Sequence, residues 1–71
     1  MSYLRMSRRV PADQVNSVRK TLHETQTEFA LRFGRSRYSI IRWENDGLKI
    51  KDNSDRARAW REALIDARNT T

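Results

Sequence analysis

Apolar residues recur along the chain at three- and four-residue steps, the spacing of one face of a helix. This period predicts helix 1 over residues 12–23, helix 2 over 26–33, helix 3 over 37–45 and helix 4 over 54–68. Pro11 suits the start of the first helix because the first helical turn needs no amide donor. The pattern therefore predicts an all-α fold, a small four-helix domain.

Local signals mark where helices 2 and 3 begin and end. Thr25 and Glu28 form the S/T-x-x-E pattern of a capping box, directly before the apolar start of helix 2. Gly34 ends that helix because glycine enters the left-handed conformation without steric cost. Ser36 is a favourable cap for helix 3, and Gly47 follows the last turn of that helix as a stop signal. Helices 2 and 3 are therefore expected to meet at a sharp turn.

The apolar faces of the helices predict one core. Between helices 3 and 4, Leu48 and Ile50 alternate with lysines, which predicts a loop fixed to the core by two apolar side chains. The apolar stripe of helix 4 either covers this core or extends beyond it to meet a second chain. The core positions expected in the helices are Ala12, Val15, Val18, Leu22, Phe29, Ala30, Phe33, Ile40, Trp43, Ala57, Trp60, Ala63, Leu64 and Ala67.

The two ends of the chain lack a helical period. Residues 1–10 form a basic N-terminal segment, residues 11–68 form the predicted domain, and residues 69–71 are a tail expected to fray. Tyr3, Leu4 and Met6 in this segment are able to pair as a short strand or to pack on a neighbour. The segment as a whole is interpreted either as a mobile tail or as an arginine arm that follows phosphates or enters a minor groove of DNA. The basic residues of this arm are Arg5, Arg8 and Arg9.

Composition narrows the class of protein. Seventy-one residues allow one domain, and a chain of this size buries only about 60% of its unfolded surface. The sequence has no cysteine, which excludes disulfides and thiolate metal sites. It also has neither the ~20 apolar residues that would span a bilayer nor the apolar segment of a signal peptide. We therefore expect a cytoplasmic protein with no membrane partner.

The charge is strongly positive and unevenly placed. The net charge is +6, and twelve of the fifteen basic residues are arginine, whose planar fork suits phosphates and guanine edges. No acidic residue lies between Glu28 and Glu44, whereas Arg35, Arg37 and Arg42 all fall in that interval. A short cationic helix that follows a sharp turn fits the major groove of DNA.

The sequence shows no arrangement typical of catalysis or metal binding. His23 is the only histidine and lies at a predicted helix end without clustered carboxylates, so it is expected to be a polar surface residue. Asp52 and Asp55 are explained by helix initiation, and Thr25 is explained by capping. We therefore expect no enzyme activity, no cofactor, no metal and no small-molecule effector.

Thirteen cap, core and charged residues together form one pattern of defined spacing. They are Arg19, Thr25, Gln26, Glu28, Phe29, Ala30, Gly34, Ser36, Ile40, Arg42, Trp43, Glu44 and Gly47. With them, residues 12–50 resemble the helix-turn-helix of phage Cro and lambda-type repressors, the xenobiotic-response-element family. The sequence departs from the family at Arg35 and Arg37, where small or polar residues are frequent. It departs again at Ile41, usually a polar position, and at Lys51, where many relatives have a proline.

The resemblance implies that helix 3 reads DNA bases. Arg37 would be the first choice for a guanine, as a donor to O6 and N7. Tyr38 has core packing as its alternative, and Ile41 would either touch a thymine methyl group or close over the core. Arg19 and Glu44 would form an internal ion pair that orients helix 3. The base-reading residues implied are Arg37, Tyr38, Ser39, Ile41 and Arg42.

Phosphate contacts are implied around both helices. Gln26 would open helix 2, bind a phosphate and brace the first side chain of helix 3. Arg42 would reach a base or a phosphate. The residues implied in phosphate contact are Gln26, Arg32, Arg35, Ser36, Asn45 and Lys49.

The function implied is that of a transcriptional repressor, phage-encoded or bacterial, that binds an inverted-repeat operator in double-stranded DNA as a homodimer. Two alternatives stand beside it. The first is an antitoxin or another interaction module that carries the same motif. The second is an architectural or recombination-directing protein that binds DNA with little base reading.

Overall fold

A computed structural model describes residues 7–70 and shows four helices and two short strands in that range. Three helices lie within two residues of their predicted bounds, and the second matches them. Helix α1 ends earlier than predicted because His23 adopts a left-handed conformation (φ 59°), which an α-helix does not accommodate. In chain order the elements are β1 (Ser7–Val10), α1 (Ala12–Thr21), α2 (Gln26–Phe33), α3 (Arg37–Asp46), β2 (Leu48–Lys51) and α4 (Asp55–Thr70).

The structure is mostly helical, which is compatible with the all-α prediction, and it adds a small two-stranded antiparallel sheet that was not predicted. Strand β1 pairs with β2 in a register that places Val10 opposite Leu48 and Ser7 opposite Lys51. The segment predicted as a loop is therefore a strand, although Leu48 and Ile50 are buried as expected. Each strand has four residues, and its partner lies far away in the sequence, so no local pattern reveals the pairing.

The core lies between the four helices and one face of the sheet. Its largest fully buried side chains are Val15 from α1, Phe29 from α2, Ile40 from α3 and Leu48 from β2. Of the predicted core, Ala12, Leu22, Phe33, Leu64 and Ala67 are only partly buried. The stripe of α4 thus covers the core with its first half, where Ala57, Trp60 and Ala63 are buried.

The corner between α2 and α3 forms largely as predicted. The Thr25 hydroxyl accepts from the Glu28 amide at 3.1 Å, and the Glu28 carboxylate accepts from the Thr25 amide at 2.8 Å. Gly34 ends α2 in the left-handed conformation (φ 66°), and the Arg35 amide donates to the Ala30 carbonyl. Ser36 occupies the cap position of α3, but its side chain makes no capping hydrogen bond, which corrects that part of the prediction.

Aromatic contacts fix the inner face of α3. The Phe33 ring meets the Phe29 ring edge to face, with centroids 5.4 Å apart, and meets the Trp43 ring at 5.1 Å. Because Ile40 and Trp43 are both buried one turn apart, rotation of α3 about its own axis would expose apolar surface. The outward direction of its remaining side chains is therefore set by the core.

Candidate functional site

The outer face of α3 carries four exposed polar side chains. Arg37, Tyr38, Arg42 and Asn45 are exposed, whereas Ile40 and Trp43 are buried. Tyr38 keeps 66% of its surface accessible, which excludes the core packing considered as its alternative. The structure therefore brings the predicted base-reading residues Arg37, Tyr38 and Arg42 to one surface.

Arg37 and Tyr38 contact each other at the start of α3. The Arg37 guanidinium carbon lies 5.2 Å from the centroid of the Tyr38 ring, within the range of a cation–π contact. No carboxylate among residues 7–70 pairs with Arg37. The guanidinium donors of Arg37 are thus available for a partner outside the chain.

Two other residues of α3 that were predicted to contact DNA make local hydrogen bonds, and a third is partly buried. Ser39 is partly buried, and its hydroxyl lies 3.4 Å from the Arg35 Nε donor. The Asn45 amide donates to the Ile41 carbonyl at 3.0 Å, so this side chain lies back on its own helix. Ile41 is partly buried, at the border between the core and the outer face, which fits both of its predicted roles.

A polar cluster around Glu44 joins α1, α2 and α3. Arg19 forms the predicted ion pair with Glu44 and is only 15% exposed, against 9% for the carboxylate. Gln26 and Asn16 each donate an amide hydrogen bond to the same carboxylate, at 3.1 and 3.3 Å. Arg19 also donates to the Glu24 carbonyl at 2.9 Å. The cluster ties the end of α3 to the middle and last turn of α1 and to the first residue of α2.

The electrostatics of this cluster favour the charged carboxylate. Burial by itself would raise the pKa of Glu44, but hydrogen bonds from Arg19, Gln26 and Asn16 outweigh it and hold the pKa below its ordinary value. Gln26 was expected to brace the first side chain of α3. It instead braces Glu44, close to the last turn of that helix.

Arg32 occupies a different place from the one predicted. Its guanidinium makes a bidentate contact with Glu24, with distances from 2.7 to 3.1 Å, and a further contact of 2.8 Å with Asp66 on α4. The hydrogen bonds that Arg32 donates to Glu24, opposed by burial, raise the pKa of Arg32 above its ordinary value. The side chain links the α1–α2 connection to α4, so we correct the predicted phosphate contact to a structural ion pair.

Part of the predicted N-terminal arm belongs to the sheet. Arg8 and Arg9 are exposed residues of β1, and the Arg9 guanidinium donates to the Asp46 carbonyl at 2.9 Å. Gly47 stands beside this contact, where an added Cβ would lie 2.9 Å from the Val10 carbonyl oxygen. Tyr3, Leu4, Arg5 and Met6 lie outside the residues that the structure describes. The interpretation as an arm therefore does not hold for residues 7–10.

Sequence reasoning missed a second cationic region behind the α2–α3 corner. The Arg56 guanidinium lies 5.0 Å from the centroid of the Trp43 ring and donates to the Lys49 carbonyl at 3.0 Å. Burial and repulsion from Arg35 lower the pKa of Arg56. Arg35 and Lys49 are both exposed nearby. The only signal in the sequence was basic charge on α4, which does not indicate this packing.

Comparisons with protein-family models, curated proteins and solved structures found no match. Residues 7–70 contain no cluster of three or more histidine, cysteine or acidic side chains able to hold a metal ion. None of the helices in that part of the chain has the length and apolar character needed to cross a membrane.

Proposed function

We propose that the protein binds double-stranded DNA in a sequence-specific manner and represses transcription as a homodimer. In this proposal α2 and α3 act as a helix-turn-helix, with α3 as the recognition helix in the major groove. The observation that carries the proposal is the outer face of α3, where Arg37, Tyr38 and Arg42 are exposed while Ile40 and Trp43 anchor the helix in the core.

Base reading would come from the start of α3. The Arg37 guanidinium can donate two parallel hydrogen bonds to guanine O6 and N7, a pairing that lysine cannot reproduce. The Tyr38 ring, which contacts Arg37, limits the directions that this side chain samples. Arg42, one turn further along, would reach a base or a phosphate, and Ile41 offers a methyl surface beside it.

Phosphate contacts would surround this face and fix its register on the duplex. Arg35, Ser36 and Lys49 are exposed around the α2–α3 corner and β2. The side-chain amides of Gln26 and Asn45 each have a second N–H donor that makes no hydrogen bond within residues 7–70, and this donor would bind phosphate. Arg32 is left out because two carboxylates already hold it. The Glu44 cluster would act indirectly, since it holds the end of α3 against α1 and α2.

A homodimer would place two recognition helices about 34 Å apart, one turn of DNA, on an inverted repeat. Occupying a promoter would then exclude polymerase. The proposed activity belongs in the cytoplasm of a bacterium or of a cell infected by a phage, in contact with the nucleoid.

Selection of bound sequences from a random duplex pool tests this proposal directly. We expect enrichment of a symmetric site whose half-sites are about 10 base pairs apart. Strong binding without sequence enrichment, together with a large bend in a gel-shift assay, would favour an architectural protein instead. Retention of no duplex at low salt would reject DNA binding altogether.

A further inference from the structure

A cleft of about 560 Å³ lies behind the α2–α3 corner, on the side formed by β2 and the start of α4. Four cationic side chains line it, namely Arg35, Lys49, Lys51 and Arg56, against the single carboxylate of Asp55. The Asp55 carboxylate is fully exposed and pairs at 3.8 Å with Arg58, which is not among the residues that line the cleft. Four cations against one carboxylate leave the cleft walls with an excess of positive charge.

The four cations have no carboxylate partner among residues 7–70. Arg32, only a few residues from Arg35, contrasts with them because two carboxylates pair with it. Like charges gathered around one concavity repel one another, and the pKa of Arg56 is lowered partly for that reason. An anion in the cleft would remove this repulsion.

Arg56 is held in place before any ligand arrives. It stacks on the Trp43 ring, and one of its nitrogens donates to the Lys49 carbonyl. The hydrogen bond to the Lys49 carbonyl uses one of the five guanidinium donors. Arg56 lines the cleft, and its remaining donors are not taken by carboxylates in the described part of the chain. A guanidinium group held in place beside further cations is well suited to bind phosphate.

We propose that this cleft binds a phosphate group, with Arg56 and Arg35 as its main ligands and Lys49 and Lys51 neutralising its remaining charge. The phosphate would come either from a small phosphorylated compound or from the backbone of DNA. Only the second source rests on the proposed function. The first would supply a small-molecule ligand that the sequence did not lead us to expect.

Nuclear magnetic resonance on the isotope-labelled protein tests the proposal, with inorganic phosphate as the probe and sodium chloride matched in ionic strength as the reference. We expect saturable shifts at the Gly34, Arg35, Lys51 and Arg56 signals with phosphate alone. In Arg56→Gln, the apparent Kd for phosphate should rise at least about tenfold, the effect of losing one charge-assisted contact. Equal shifts with chloride, or shifts that do not saturate, overturn the proposal.

Two further variants distinguish the loss of a phosphate ligand from misfolding and from a change of net charge. Arg35→Gln changes an exposed side chain, so it should weaken phosphate binding while the rest of the spectrum stays unchanged. Arg61→Gln removes the same charge from an exposed position of α4 outside the cleft and should leave the Kd within about twofold. If Arg61→Gln and Arg35→Gln weaken binding equally, the effect is one of net charge, and the proposal is wrong.

A duplex of random sequence distinguishes the two sources. If DNA supplies the phosphate, the duplex should shift the cleft signals and compete with inorganic phosphate for them. If a small compound supplies it, the duplex should shift the outer face of α3 and the exposed Arg35 and Lys49 but leave the Arg56 and Lys51 signals unchanged, and phosphate binding should persist beside it. Failure of the duplex to bind at all would reject the proposed function, whereas loss of saturable phosphate binding would reject this inference alone.

Discussion

Six arginines of this protein form two groups with opposite surroundings. Arg19 and Arg32 each meet carboxylates, are largely shielded from solvent and join elements that are distant in the sequence. Arg35, Arg37, Arg42 and Arg56 meet no carboxylate within residues 7–70. The same residue type therefore stabilises the fold in one region and leaves positive charge unpaired in the other. Pairing, rather than basic charge, separates structural arginines from candidate binding residues.

The largest loss of stability is expected when the carboxylate that pairs with Arg19 is removed. Glu44→Ala would leave Arg19 largely buried without its partner. We expect the free energy of unfolding, measured by urea denaturation, to fall by about 3 kcal/mol, the lower end of the range for a broken buried pair. Arg42→Ala, from the unpaired group, is the control and should change it by no more than about 0.5 kcal/mol. Similar values for both variants would contradict the division.

Arg37→Ala should weaken DNA binding and leave stability unchanged, the opposite of what is expected for Glu44→Ala. We expect affinity for the selected duplex to fall by about 1–3 kcal/mol, with relaxed preference at one base pair of each half-site. The free energy of unfolding should stay within about 0.5 kcal/mol of the wild type. Fluorescence anisotropy with selected and random duplexes measures both affinities. An equal loss on the two duplexes would make Arg37 a phosphate contact, and no loss on either would remove it from the site.

Arg32→Ala and Arg35→Ala form a matched pair from neighbouring positions. The first should lower the free energy of unfolding by about 1 kcal/mol, because its ion pairs are partly exposed, and leave the DNA affinity of the folded protein unchanged. The second should leave stability unchanged and weaken binding to selected and random duplexes alike, with a smaller salt dependence. Weaker binding by folded Arg32→Ala would restore the phosphate role predicted from the sequence.

The smallest expected effect is a change of the unfolding free energy with pH in the acid range. The pKa of Glu44 is lowered in the folded state, so its contribution to stability is complete above the ordinary value of 4.5 and is lost as the pH falls through the lower folded pKa. The difference in unfolding free energy between wild type and Glu44→Gln should therefore shrink as the pH falls below about 4.5. A difference that stays constant from pH 7 to pH 3 would show that charge is not what Glu44 contributes.

Local features of the sequence predicted the corner well. The bounds of α2, the Thr25–Glu28 capping box and the left-handed Gly34 depend on neighbours within a few residues, so the sequence alone contains the needed information. The exposure of Tyr38 and Arg42 follows from the burial of Ile40, which lies two positions from each, since residues two apart point to nearly opposite sides of a helix.

Features that depend on distant contacts were missed or misassigned. Strand β1 requires a partner that follows three helices later, and the first strand residues, such as Arg8 and Arg9, give no apolar alternation. Arg32 looks like any cation on a helix surface until α4 brings Asp66 beside it. Arg56 needs both the position of α4 and the orientation of Trp43. Side-chain partners across elements are set by the tertiary arrangement, which a local period does not encode.

The pairing of β1 has a practical consequence for anyone producing the protein. Val10 is a core residue, and the strand that carries it covers one side of β2. Shortening the gene to start at the first helix, a natural choice when the opening residues look dispensable, would strip backbone partners from β2 and uncover Leu48. Purification tags are better joined ahead of residue 7 with a spacer, and a version cut back to residue 11 should express poorly or aggregate.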